Sequence, residues 1–400
     1  MGNDPTSGAT ITRIGRYEVV SELGRGGMGV VYRGEDKLIG RDVAIKTLTE
    51  VTPELRQRFY VEARSGILSH PNIVTVYEVG EHEGNPFIAM EFVAGESLEK
   101  ILRTGRRMAL LETLSVIEQL CAGLGYAHQH GVLHRDVKPA NVILQPDGRT
   151  KIVDFGIALL DDQSTRLTKT NALIGSFHYL APERLKGEMC DGRADLWSVG
   201  VMLYEMITGE LPFKGQDVSA LYKMIHEPFA PLWNFVSNLP EPLTAVVERA
   251  LAKRVEDRYA SAEDMAFDLQ AIGDALKKEG VEELLDSARR LTEESEFASA
   301  RTLLLKVQRI DPRNTDVHRM MREVQEKLSH LQRSEQLRQI VEQAEEAFSA
   351  QRFDDAVTFF RQAVALDPEN TLGLVAKFDD AQDRKERQDR ARALWQQARV

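Results

Sequence analysis

No apolar run in this 400-residue sequence approaches the roughly 18 residues that a membrane-crossing helix requires. The N-terminus also lacks the charged-then-apolar pattern of a secretory signal, so a soluble, cytoplasmic protein is the expectation. Cysteine is scarce. Cys121 and Cys190 are the only two, too few for a disulfide framework, and neither has the spacing of a zinc ligand. Positive charge is in deficit, with 51 Lys and Arg against 62 Asp and Glu and a formal net charge of −11. That balance argues against general binding to nucleic acid or to an anionic membrane surface. The start, Met1-Gly2-Asn3-Asp4-Pro5-Thr6, fits a loose myristoylation pattern, but Asp4-Pro5 is an awkward context. A disordered leader is the better account of residues 1–15. The length admits two or three domains, each with a core of ordinary size.

What the chain does contain begins with glycine. Leu23-Gly24-Arg25-Gly26-Gly27-Met28-Gly29-Val30-Val31 has the form G-x-G-x-x-G-x-V. Alone, such punctuation is more often a plain turn. Here Tyr17–Val20 before it and Val30–Tyr32 after it read as strands, so the glycines sit at a hairpin tip rather than at a strand-to-helix turn. At such a tip the backbone can approach a polyphosphate and aim N–H groups at it. Val43-Ala44-Ile45-Lys46 is an apolar strand ending in an ammonium. Thr52 then reads as an N-cap with Pro53 at the first helical position, opening a helix to about Leu68. On that helix Leu55, Phe59, Glu62 and Gly66 share one face. A carboxylate on a burying face needs a partner, and Lys46 is the nearest candidate along the chain.

His134-Arg135-Asp136-Val137-Lys138-Pro139-Ala140-Asn141, followed by Asp154-Phe155-Gly156, carries the most information. It sets a carboxylate, a cation, an amide and a second carboxylate at the spacing phosphoryl transfer needs. That chemistry asks for metal ligands, charge neutralisation and a positioned hydroxyl more than for covalent help. Any one of these residues could be a surface loop charge; the whole set in this order is far more specific.

On these motifs the chain, from about Arg16 to about Lys278, resembles the eukaryotic-like (Hanks-type) serine/threonine protein kinases of bacteria. The resemblance implies an α+β fold of two lobes, a small β-rich lobe over residues 16–93 and a larger helical lobe over 94–278. It implies ATP as phosphoryl donor with Mg²⁺ or Mn²⁺, and Ser/Thr hydroxyls of proteins as acceptors. Asp136 would be the base or orienting group, Lys138 would steady the γ-phosphate, and Asn141 and Asp154 would be the metal ligands. Lys46, held by Glu62, would contact the α- and β-phosphates. Gly24, Gly26 and Gly29 would cover the phosphates, and the backbone of Glu91 and Val93 would bind the adenine edge. Leu23, Val31, Ala44 and Ile143 would sandwich the ring, with Met90 behind it. For these apolar residues ordinary core is an equally good reading. The strand Ile88–Val93 running into Ala94-Gly95 suggests the hinge between lobes.

Between Asp154 and Ala181-Pro182-Glu183 lies a polar stretch, Asp161 to Asn171, with Ser164, Thr165, Thr168 and Thr170. Arg135 beside Asp136 favours a neutralising anion, and a phosphothreonine could supply it. Thr168 and Thr170 match the usual autophosphorylation positions of the bacterial relatives, which implies self-association for transfer between two molecules. Ser176 stands where threonine is more common, and it keeps the hydroxyl that could touch Asp136 and Lys138. Glu183 with Arg258 matches the family's buried ion pair, and Asp195 the aspartate that braces the catalytic loop. Ser261-Ala262-Glu263-Asp264 has the form of a capping box.

From about residue 279 glycine nearly vanishes, and Ala, Leu, Glu, Gln and Arg dominate, as in stacked helices. Phe297, Ala300 and Asp311-Pro312 recur as Phe353, Ala356 and Asp367-Pro368, an offset of 56 residues. Ala300, Leu304, Val307 and Pro312, and then Ala356, Phe360, Ala363 and Pro368, are spaced as in tetratricopeptide repeats, which have a period of about 34. The excess must be helix between about Asn314 and Ala350, either one long helix or a pair broken near Ser329 or Ser334. A coiled-coil or helical linker is the plainer alternative. Two repeats are fewer than stability usually needs, so either the helical region continues beyond residue 400 or its core is completed by the kinase part or another subunit.

Three functions are therefore open. They are an active protein kinase with a helical protein-interaction module, a pseudokinase scaffold, and an adaptor whose kinase regulates its helical tail. The intact catalytic set weighs against the second.

Overall fold

A computed structural model describes residues 12–26, 29–63, 68–155, 177–215 and 218–397. The chain divides between Leu276 and Lys277 into two compact units. In the first, six antiparallel strands form one sheet: β1 (Arg13–Ile14), β2 (Tyr17–Arg25), β3 (Gly29–Asp36), β4 (Arg41–Leu48), β5 (Val76–His82) and β6 (Asn85–Glu91), in the order β1-β2-β3-β4-β6-β5. Alternation along the strands sorts side chains to two faces. Val43, Ile45, Phe87 and Ala89 join Ile14 and Tyr17 in one cluster. Ala44, Ile88 and Met90 join Phe59, Val74 and Val93 in the other. Helix α1 (Pro53–Ala63) covers this second face, its start fixed by the Leu55 N–H donating to Thr52 Oγ1 at 3.2 Å. The expected strand over 88–93 begins earlier and ends at Glu91.

Below the hinge a small sheet of β7 (Glu96–Ser97), β8 (Val142–Leu144) and β9 (Thr150–Ile152) accompanies helices α2 (Leu98–Arg103), α3 (Leu110–Gln129), α4 (Pro182–Leu185), α5 (Arg193–Thr208), α6 (Val218–His226), α7 (Glu241–Ala250) and α8 (Ala262–Glu293). Helix α5 is apolar nearly all round and accordingly almost wholly buried, at the centre of the largest core. It stops where Gly209 adopts a left-handed φ of 74°. Cys121 packs inside α3, where burial pushes its thiol up to about 12. At the start of α8 the Asp264 N–H donates to Ser261 Oγ at 3.1 Å, the first half of a capping box.

The second unit takes in the end of α8, from Lys277, and continues with α9 (Phe297–Ile310), α10 (Thr315–Ser349), α11 (Phe353–Leu366) and α12 (Leu374–Gln397). Helices α9 and α11 are both 14 residues long, and each follows a residue of positive φ, Ser295 at 65° and Gln351 at 60°. Each ends just before the Asp-Pro pair. Ala300, Leu304 and Val307 are buried in one cluster, Ala356, Phe360 and Ala363 in another. Helix α10 is a single unbroken helix of 35 residues, so of the two arrangements the sequence allowed, the long helix is the one formed. Ser334 does not interrupt it, because its hydroxyl donates to the Leu331 carbonyl one turn back. Among the described residues no helix is long and apolar enough to cross a membrane.

Candidate functional site

The segment from His134 to Asn141 joins α3 to β8 and is held from beneath by Asp195, in the first turn of α5. Asp195 Oδ2 accepts the His134 N–H at 2.9 Å and Oδ1 accepts the Arg135 N–H at 2.8 Å. His128 Nε2 stands 2.9 Å from Oδ2. Burial of Asp195 opposes ionisation, but the hydrogen bonds from His128 and from the His134 N–H outweigh it and hold its carboxyl below the usual range. These bonds hold Arg135 at a left-handed φ of 65°, uncommon for a residue with a side chain.

His134 is fully buried, and burial lowers its pKa. The Asp136 N–H donates to His134 Nδ1 at 3.3 Å, and Nε2 lies 3.1 Å from the Val153 carbonyl. An accepting Nδ1 and a donating Nε2 are the pattern of a neutral ring. Phe155 packs against it, ring centroids 4.7 Å apart. In this way α5, β9 and the loop fix one another.

On that frame the polar groups converge. Asn141 Nδ2 donates to the Asp136 carbonyl at 2.8 Å and to Asp136 Oδ2 at 3.1 Å. Lys138 Nζ is 2.7 Å from the same carboxylate oxygen. The Val153 N–H donates to the Asn141 carbonyl at 3.0 Å, carrying the chain to Asp154, which has a φ of 54°. Asp154 Oδ1 accepts from Lys46 Nζ at 2.9 Å. In the β3–β4–β6 register Val31 lies opposite Lys46, Ala44 opposite Met90 and Lys46 opposite Ile88, so Lys46 shares the face of Ala44.

The apolar residues singled out in the sequence meet around that face. Ala44, Met90 and Val93 are buried in one cluster, with Val31 and Ile143 packed against it. Leu23 is 48% exposed on β2 and stands outside the cluster. The glycines differ in what they serve. A Cβ on Gly29 would come 1.9 Å from the Thr47 carbonyl oxygen, so β3 can approach β4 there only with glycine. A Cβ at Gly24 would meet nothing within 4 Å, and one at Gly26 only the Gly29 carbonyl oxygen at 4.0 Å. Packing does not demand glycine at these two positions; they border open space that a ligand can use.

Glu183 and Arg258 form a two-pronged ion pair, both contacts 2.8 Å and both residues buried. Arg184, beside it, donates to the Arg135 carbonyl, and burial lowers its pKa. The side chain of Glu62, and Gly156, Ser164, Thr165, Thr168, Thr170 and Ser176, lie outside the described residues. Three contributors were not singled out from sequence: His128, which reaches Asp195, Arg184, which reaches the catalytic loop, and Lys151, whose Nζ is 2.8 Å from Glu91 Oε2. Lys151 follows Arg149 and Thr150 at the edge of a polar turn, so nothing in the local sequence marks its burial.

Residues 17–268 match the family described as protein kinase domain. Among curated proteins the chain is similar to a probable serine/threonine-protein kinase PknB of Lactococcus lactis, 39% identical over 276 residues, covering 68% of this chain and 44% of the relative. It is similar to the serine/threonine-protein kinase PknB of Mycobacterium leprae, 38% identical over 313 residues, covering 75% and 50%. It is also similar to the serine/threonine-protein kinase PrkC of Bacillus subtilis, 36% identical over 268 residues, covering 65% and 41%. The matches thus span half or less of each relative's length.

Proposed function

The chain belongs to the protein kinase domain family, and on that premise we propose that it transfers the γ-phosphoryl group of ATP to serine and threonine hydroxyls of proteins. The observation that carries this reading is the convergence of Lys138 and Asn141 on one carboxylate, Asp136, while Lys46 reaches Asp154. In this reading nucleotide lies between the lobes of residues 16–93 and 94–278, with the base against Val31, Ala44 and Ile143. Asp136 orients the acceptor hydroxyl, and Lys138 and Lys46 neutralise phosphate charge.

A divalent cation fits the donor set. Asn141 commits its amide nitrogen to Asp136, which leaves the amide oxygen for a metal, and Asp154 offers carboxylate oxygens. Oxygen donors suit Mg²⁺ or Mn²⁺. Phosphate oxygens and water would complete the shell, as they do for cations that keep part of their hydration. When bound, the ion neutralises charge developing on the phosphates.

Autophosphorylation at Thr168 and Thr170, between two associated molecules, would order the loop beside Arg135 through charge-assisted bonds. The region 279–400 serves as a tetratricopeptide-like protein-interaction module. Supporting this is the 56-residue recurrence of equal-length helices with alanine at matching buried positions. The site of action is the cytoplasm, where ATP is available.

The test is transfer of radiolabel from ATP, with Asp136→Asn as comparison. The variant is expected to be slower by about a hundred- to ten-thousandfold, the scale of losing a positioned base. A parent without transfer would instead favour a pseudokinase scaffold.

A further inference from the structure

Lys151 lies on β9 with only 7% of its surface exposed. An ammonium at that depth requires partners. It donates to Glu91 Oε2 at 2.8 Å and to the Ile73 carbonyl at 3.2 Å. The same Glu91 oxygen accepts the Thr75 N–H at 3.2 Å, and the Glu91 N–H donates to the Thr75 carbonyl at 2.8 Å. The 72–75 segment is in turn laced to β9. The Ile152 N–H donates to the Asn72 carbonyl at 2.8 Å and the Val74 N–H to the Ile152 carbonyl at 2.9 Å. Glu91 closes β6, immediately before Phe92 and Val93 leave the sheet. Lys151 also lies opposite Ile143 in the β8–β9 register. One buried cation therefore binds the end of β6 to the strand that delivers Asp154.

We infer that Lys151 is a positioning residue for the nucleotide base: through the Glu91 carboxylate it sets where the Glu91–Val93 backbone stands relative to Ile143. The inference rests on the nucleotide-binding reading given above. A strut that only stabilised the fold would weaken every ligand alike or none. A residue that sets the hinge acts on the base and spares the phosphates.

The experiment uses the full chain and its Lys151→Met, Lys151→Arg and Glu91→Gln variants. Adenosine and inorganic tripolyphosphate are measured as competitors of ATP, alongside kcat and KM for ATP. In Lys151→Met the adenosine constant and the KM for ATP should rise about three- to thirtyfold, below the roughly ten- to hundredfold of a directly lost hydrogen bond to a charged group, because Lys151 acts through the Glu91 carboxylate. The tripolyphosphate constant and kcat should stay within about twofold. Lys151→Arg should recover most of the loss, because it keeps the cation. Glu91→Gln, nearly isosteric, should weaken adenosine in the same direction and provides the comparison if Lys151→Met does not fold. Equal weakening of adenosine and tripolyphosphate, or unchanged adenosine affinity in both Lys151→Met and Glu91→Gln, overturns the inference alone. A parent that neither binds ATP nor transfers phosphate overturns the nucleotide reading and this inference with it.

Discussion

Lys46 Nζ lies 2.9 Å from Asp154 Oδ1, a contact between residues 108 positions apart in the chain. It connects β4 of the six-stranded sheet to a residue two positions beyond β9 of the three-stranded one. A strand lysine and a carboxylate at the start of a loop thereby become one electrostatic unit.

Replacing Lys46 with Met keeps a long flexible side chain and removes the charge. Phosphotransfer should be abolished with the fold largely kept, at a stability cost of about 1–3 kcal/mol. Turnover assays and thermal denaturation of the variant decide this; normal turnover would remove Lys46 from the phosphate-anchoring role.

The Glu183–Arg258 pair should be costly to break from one side. Arg258→Met strands a buried carboxylate and also deprives the Ala252 carbonyl of its 2.8 Å donor. A loss of about 3–5 kcal/mol in urea unfolding is expected. Glu183→Gln should cost less, since its amide can still accept from Arg258. The reverse ranking would show that the guanidinium's backbone contacts contribute little.

Acidification should weaken the fold well before the carboxylates titrate. Burial lowers the pKa of His134 below the unfolded value of about 6.5. Under that pH the unfolded chain binds a proton that the folded chain refuses, so stability falls as pH drops, until the folded value is reached. Burial of His178 and His70 acts in the same direction. Asp195 adds a loss in the same direction at lower pH. Its depressed pKa gives stability present above about 4 and lost as pH falls through the folded value. Unfolding measured from pH 7.5 to 5.5 should show the histidine slope, and His134→Asn should flatten it. An identical slope in the variant would exclude His134 as its source.

Phosphate should be found on Thr168 and Thr170 of protein expressed active and be absent from the Asp136→Asn variant. Changing both threonines to alanine should leave a slow basal enzyme, because the catalytic loop is untouched. Mass spectrometry and turnover rates settle it. Unmodified threonines in active protein, or a double variant as fast as the parent, would end this account of activation.

Local patterns were legible because they are enforced by neighbouring residues. Alternation in Val43–Ile45 put successive side chains on opposite faces, and Thr52-Pro53 marked where α1 starts. The repeat at 297 and 353 predicted two like helices, with the intervening length pointing to further helix. Contacts made by closure of the fold were not legible. Helix periodicity places Glu62 on the burying face of α1 and offers Lys46 as its partner, but nothing local marks Asp154, which reaches Lys46 only once β8, β9 and the loop from α3 have packed. Lys151 was passed over for the same reason, since its partner Glu91 is 60 residues away. Leu23 belongs to the ring sandwich by resemblance alone; its exposure on β2 leaves its side chain open to a ligand.

Helix α10 contributes to two separate hydrophobic clusters. Val317, Met320 and Val324 belong to one near its start, and Ala344 and Ala347 to the other near its end. Between them the helix is mostly solvated, with Leu331 half exposed. Cooperativity is transmitted by shared burial, and these two cores share backbone rather than side-chain contacts. The α11–α12 end can therefore melt while the α9 end stays folded, giving the helical tail a graded rather than an all-or-none response to force, heat or a competing helix.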